Sequence, residues 1–182
     1  MKKIVIAIVF SCFVFNLYSQ VPYFAETPGA AKLYGYVSLK LRPGANAQET
    51  YTTFQYGVGR YMAVGTDIST SYGSAYMGFL FRAGVGISKW IQIGGQVTPS
   101  FNLFDKFKLS YVTTALYLNG SITNDSNLFW VANTWLTYYI DSKSNAIDQW
   151  IYLGYKFRIN DNSSITPLVG TIFSWKFDSV PS

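Results

Sequence analysis

Residues Ala75 to Ser88 read Ala-Tyr-Met-Gly-Phe-Leu-Phe-Arg-Ala-Gly-Val-Gly-Ile-Ser. Every odd position, Ala75, Met77, Phe79, Phe81, Ala83, Val85 and Ile87, is apolar. The even positions are Tyr76, Gly78, Leu80, Arg82, Gly84, Gly86 and Ser88, mostly small or polar. Successive residues of a β-strand point to opposite faces, so a period of two predicts a strand with one apolar and one polar face.

The same period recurs on either side. In 33–42, Leu33, Val37, Leu39 and Leu41 oppose Ser38, Lys40 and Arg42. In 91–103, Ile91, Ile93 and Val97 oppose Gln92, Gln96 and Thr98. In 149–159, Ile151, Leu153, Tyr155 and Phe157 oppose Gly154, Lys156 and Arg158. In 165–177, Phe173, Trp175 and Phe177 oppose Ser174 and Lys176. Segments 107–118 and 128–140 are strand-like in their β-branched and aromatic content. Turn signals fall between the runs at Pro43-Gly44, Ser71-Tyr72-Gly73, Asn119-Gly120, Asp141-Ser142 and Asn160-Asp161-Asn162.

Runs 52–59 and 62–69 share their parity: Phe54, Tyr56 and Val58 are even and apolar, as are Met62, Val64 and Ile68. One long strand would give that continuity, and so would a three-residue turn. Reading 52–69 as one strand gives eight strands. A count of ten would need Val21 to Glu26 as a further strand, which Pro22 disfavours.

Alternation does not say which face is inside. The polar faces are poor in charge and rich in Gly, Ser, Thr and Gln. Aromatics such as Trp90, Tyr111, Trp130, Tyr138, Tyr139, Trp150, Trp175 and Phe177 are expected along and at the ends of the apolar faces. Both features favour apolar side chains meeting lipid over a soluble sandwich or barrel that binds an apolar ligand. The chain is 182 residues long, 19% aromatic and only 13% charged, against about 25% charged in soluble domains.

The first twenty residues are expected to be a secretory signal peptide. Lys2 and Lys3 precede an apolar stretch from Ile4 to Phe15, and cleavage is expected after Ser19 or Gln20. The apolar run is too short to span a bilayer as a helix. Cys12, the one cysteine, lies inside it. Loss of Lys2 and Lys3 would lower the net charge from +5 to +3. Residues 21–182 are then a single domain.

Composition also excludes chemistry. The chain has no histidine, which removes Ser-His-Asp and Cys-His catalysis and histidine-ligated metals. A single cysteine forms no internal disulfide or cysteine-cluster zinc site. Basic residues are scattered singly, against nucleic-acid binding. No glycine-rich phosphate loop is present. The chain is therefore expected to be no enzyme and to carry no cofactor.

With eight strands, the chain resembles the small outer-membrane β-barrels of Gram-negative bacteria, the OmpA/OmpX-type class. The resemblance covers the whole mature chain, and its last strand, Thr171 to Phe177 with alternating aromatics, looks like the signal read by the barrel-assembly machinery. In that class the signal usually ends the chain, whereas Asp178 to Ser182 follow here. The resemblance implies an antiparallel transmembrane barrel in the bacterial outer membrane, with membrane lipid, lipopolysaccharide and the assembly machinery as partners. The implied role is structural or porin-like, the passive passage of small solutes.

Basic residues outnumber acids in the expected strands, where Asp67 is the only acid. Such a lumen would favour anionic solutes. Arg82 lies mid-strand and is the leading lumen candidate, with Asp67 as its partner. Lys40, Arg42 and Lys176 are further candidates. Lys40, Arg42, Lys156 and Arg158 are expected near the membrane edges, where long side chains reach headgroups or water.

Overall fold

The computed structural model describes Thr27 and residues 29–40, 49–71, 73–160 and 163–177. The signal-peptide segment, Cys12, Val21 to Glu26, Arg42 and the tail after Phe177 lie outside the described residues. The described chain forms strands and turns. Its strands are β1 (Leu33–Lys40), β2 (Glu49–Gly57), β3 (Met62–Ser71), β4 (Ser74–Ser88), β5 (Ile91–Asn102), β6 (Lys108–Ser121), β7 (Leu128–Tyr139), β8 (Ser144–Tyr155), β9 (Phe157–Asn160), β10 (Ser163–Ile165) and β11 (Leu168–Phe177).

Nine of them form one antiparallel sheet in the order β1-β2-β3-β4-β5-β6-β7-β8-β11. From β1 to β8 each strand pairs with the next in sequence, as expected when short hairpins join antiparallel strands, and β11 then pairs with β8. Beyond β8 and before β11, the chain adds the small β9–β10 ribbon.

The reading of 52–69 as one strand is overturned. β2 and β3 pair antiparallel, with Tyr56 opposite Val64 and Gly57 opposite Ala63. The Val58 N–H donates to the Met62 carbonyl at 3.0 Å, leaving Gly59-Arg60-Tyr61 as the turn. A hairpin closed by an odd number of residues keeps even positions opposite even positions. Parity therefore passes through this turn unchanged, and among the described residues the sheet has nine strands rather than eight.

Asn119-Gly120 is not a turn either. Both residues lie in β6, and the turn falls at 122–127. A Cβ on Gly120 would lie 1.7 Å from the Trp90 carbonyl oxygen. Glycine is required there by a close backbone approach.

Pro99 sits within β5. The β4–β5 register runs from Gly78↔Ser100 to Phe81↔Val97 without bridges at Phe79 and Leu80. Proline has no N–H to donate, so the ladder lapses beside it.

The sheet curls. The Tyr76 ring on β4 and the Tyr111 ring on β6, two strands away in the order, lie 5.2 Å apart between centroids. A flat sheet would hold those strands about 9.6 Å apart, so the side chains on this face converge and the face is concave.

Candidate functional site

Over β2 to β6 the two faces have largely opposite chemistry, with the mostly polar one buried; toward β7, β8 and β11 the buried face carries an apolar cluster. Along the middle of β4, Phe81 is 56% exposed while Arg82 beside it is 6% exposed. In β2, Phe54 and Tyr56 are exposed while Thr53 and Gln55 are buried. Val97 is exposed between buried Gln96 and Thr98. Leu116 and Leu118 are exposed while Tyr117 and Asn119 are buried. A water-soluble domain buries its large apolar side chains and almost never fully buries Arg unless it is paired.

The polar groups of this face bond to each other within and between strands. The Tyr117 hydroxyl donates to Gln96 Oε1 at 2.6 Å. Gln96 Nε2 donates to Thr98 Oγ1 at 2.8 Å. Asn119 Nδ2 donates to Gln92 Oε1 at 2.6 Å, and Thr53 Oγ1 to Asp67 Oδ1 at 2.5 Å. Next to this network runs an aromatic chain. Trp135 packs on Tyr117 and on Trp150, each at 5.5 Å between ring centroids, and Trp150 packs on Tyr152 at 5.8 Å.

Tyr111, Tyr139 and Trp150 therefore depart from the apolar-face expectation. Tyr111 and Tyr139 lie on the polar side, their rings 5.9 Å apart, and Trp150 belongs to the buried chain. Trp90, Tyr138, Trp175 and Phe177 are on the exposed apolar side.

Arg82 stands opposite Ala63 on β3 and Gln96 on β5. Its guanidinium carbon lies 4.4 Å from the centroid of the Tyr117 ring. Asp67 is on the same face but four positions further along β3, opposite Gly78. The two share the concave side without forming an ion pair within 4.0 Å. Asp67 takes the Thr53 hydroxyl instead, and Arg82 takes the aromatic ring.

Lys176, at the far end of β11, is exposed and pairs with Ala146. Lys40 closes β1 opposite Glu49. Lys156 follows β8 and is buried, whereas Arg158 is exposed on β9. Arg60 lies in the β2–β3 turn, its guanidinium 5.1 Å from the Tyr61 ring.

Asp67 is not the only acid in a strand. Asp148 lies in β8 opposite Trp135 and Ser174 and accepts a hydrogen bond from the Ser174 hydroxyl at 2.5 Å. The polar stretch Ser144 to Asp148 reads as loop in the sequence, which hid it. Glu49 opens β2. At one rim, Lys108 and Asp141 form an exposed ion pair at 2.7 Å, of a kind worth about 0–1 kcal/mol. In the β6–β7 turn, the Thr123 hydroxyl and the Asn127 backbone N–H hold the Asp125 carboxyl below the usual range.

The outward face carries a shallow apolar groove of about 540 Å³, lined by Tyr61, Met62, Ala83, Val85, Ile93 and Leu116 among others. Some polar side chains of outward parity are satisfied within the sheet. Thr134 donates to Gln149 Oε1 at 2.6 Å, and Thr66 to the Gly78 carbonyl at 3.0 Å.

Comparison with protein-family models, curated proteins and solved structures gives no match.

Proposed function

We propose that this chain is a small integral outer-membrane β-barrel, of the class its sequence resembles, with a structural or passive small-solute transport role. The supporting observation is the inversion of its faces. Side chains such as Phe54, Phe81, Val97, Leu116 and Leu153 are exposed, whereas Arg82, Gln96, Asn119 and Asn133 are buried. In water, each of these half-exposed apolar side chains would forfeit a good part of the about 1.5–3 kcal/mol that full burial brings. Against hydrocarbon it forfeits little, and the alternation of apolar-out and polar-in is the pattern of membrane barrels. The curl of the sheet suits closure, which leaves no strand edge in the bilayer. With nine described strands alternating in direction, β1 and β11 run parallel, so joining these two edges would make a parallel pair, unlike the even-stranded members of that class. On this reading, membrane lipid and lipopolysaccharide meet the outward face, and the barrel-assembly machinery inserts the chain.

The interior of a small barrel is nearly filled by side chains. The buried aromatic chain from Tyr117 to Tyr152 favours narrow passage or none, so the structural role ranks beside transport. Fractionation tests the membrane reading: recovery in the outer-membrane fraction, released only by detergent, is expected. Recovery in a soluble fraction without detergent would contradict it and favour a secreted β-protein binding an apolar ligand. Conductance of the purified protein in a planar bilayer separates transport from a purely structural role.

A further inference from the structure

Arg82 leaves one chemical demand unmet. Its Nε and Nη2 atoms are buried and have no hydrogen-bond partner. A guanidinium stays charged at any pH a protein meets, and burying a charge with unmet donors is costly. The Tyr117 ring helps through its π-face. It accepts nothing from the in-plane N–H groups.

The free edge is chemically specific. Nε–H and the adjacent Nη2–H point the same way and in parallel, so they grip two oxygens of one carboxylate or phosphate group. Lysine, a point charge, has no equivalent fork.

The Tyr34 hydroxyl on β1 is another donor on this face that is buried without a partner. Tyr34 pairs with Gln55, whose Oε1 is also buried without a partner. Between these two and Arg82, β3 presents only Ala63 and Gly65 on the concave side. Leu80, two residues before Arg82 and opposite Gly65, is buried on the same side and borders these small residues. Asp67, four positions along β3, accepts the Thr53 hydroxyl on Oδ1 and makes no ion pair with Arg82 within 4.0 Å.

We propose that the concave face holds a small oxyanion, the carboxylate or phosphate group of a solute, gripped by the Nε/Nη2 edge of Arg82 with the Tyr34 hydroxyl as an additional donor. This deepens the transport reading above and rests on it for the route by which a solute enters.

The test uses the full chain purified from membranes in a neutral detergent, with its arginine side chains labelled with nitrogen-15. The Nε–H resonances of the four arginines are followed by NMR during titration with sodium acetate, inorganic phosphate and, as control, sodium chloride. One resonance, absent in Arg82→Lys, is expected to shift saturably with acetate or phosphate and not with chloride. Response to acetate alone or phosphate alone identifies the anion. Arg82→Lys is expected to weaken binding at least tenfold, and Tyr34→Phe about threefold. If Arg82→Lys does not fold, Tyr34→Phe carries the test. An equal response to chloride, no response, or unchanged affinity in Tyr34→Phe would overturn the proposal. Failure of the barrel reading would show separately, as a protein recovered without detergent.

Discussion

The ring of Phe129 lies over Gly154, the residue opposite it on the neighbouring strand. A Cβ on Gly154 would stand 2.2 Å from Phe129 Cζ and 2.6 Å from Leu168 Cδ2. Phe129 is fully buried and belongs to a cluster with Val131, Tyr152, Leu168 and Ile172. Glycine here is a packing requirement, since the ring occupies the space a side chain would take. Gly154→Ala is therefore expected to destabilise the protein by about 1–3 kcal/mol, the cost of overpacking a filled core. Gly95→Ala, whose Cβ would meet only the Ala115 carbonyl at 3.4 Å, should change little. Urea unfolding of both variants in detergent checks the difference.

Tyr117 and Gln96 form the centre of the buried polar network. Tyr117→Phe keeps the ring beneath Arg82 and removes the donor to Gln96 Oε1. A buried acceptor left unpaired costs about 1–3 kcal/mol. Gln96→Leu should be less harmful in the Tyr117→Phe background than alone, with a coupling of about 0.5–3 kcal/mol. A double-mutant cycle on unfolding free energy measures it, and additive effects would mean that the bond contributes nothing.

The β2–β3 hairpin has a covalent test. Tyr56 and Val64 face each other across the two strands, where Cα atoms of such a pair lie within about 4.5–5.5 Å, inside the disulfide range. In one continuous strand they would be about 27 Å apart. Tyr56→Cys combined with Val64→Cys, with Cys12 replaced by serine, should cross-link on mild oxidation. Tryptic peptides and mass spectrometry would show the bond.

The depth profile of the outward face distinguishes lipid from water. Phe81 is at the middle of β4 and Ile87 near its end, and both are exposed. Phe81→Arg should cost about 2–4 kcal/mol in a bilayer, and Ile87→Arg about 0–1 kcal/mol. On a water-facing surface both changes would fall within about 0.5 kcal/mol. Folding yields into vesicles, read by electrophoretic mobility without heating, report the difference.

Much of the sheet was legible because its faces differ in chemistry. Phe79, Phe81 and Val85 against Gly78 and Arg82 declare β4 without knowledge of its neighbours, and Ile91 to Thr98 do the same for β5. What stayed hidden had a physical cause in each case. Parity is conserved through an odd-numbered turn, so Gly59-Arg60-Tyr61 could pass for the middle of a strand. Asn119-Gly120 has the composition of a turn, but the close approach of the Trp90 backbone demands that glycine. Ser144 to Asp148 are polar because they line the start of β8, and polarity alone suggested a loop. Of the candidate site, Arg82 and Asp67 were visible as charges within alternating runs. Their separate engagement with Tyr117 and Thr53 depends on register between strands, which no single strand encodes. The aromatics of β6 to β8 point to both faces, so Tyr117, Trp135 and Trp150 could not be sorted from the exposed set by composition.

The central claim is that the apolar face of this sheet meets hydrocarbon. Its most direct measurement is a nitroxide scan of residues 78–85, one cysteine at a time with Cys12 replaced by serine, in lipid vesicles. Collision rates with oxygen, which concentrates in lipid, and with a water-soluble nickel complex are read at each site. Oxygen accessibility should peak at positions 79, 81, 83 and 85 and fall at 78, 80 and 82. Greater accessibility to nickel than to oxygen at the odd positions, or no alternation, would contradict it.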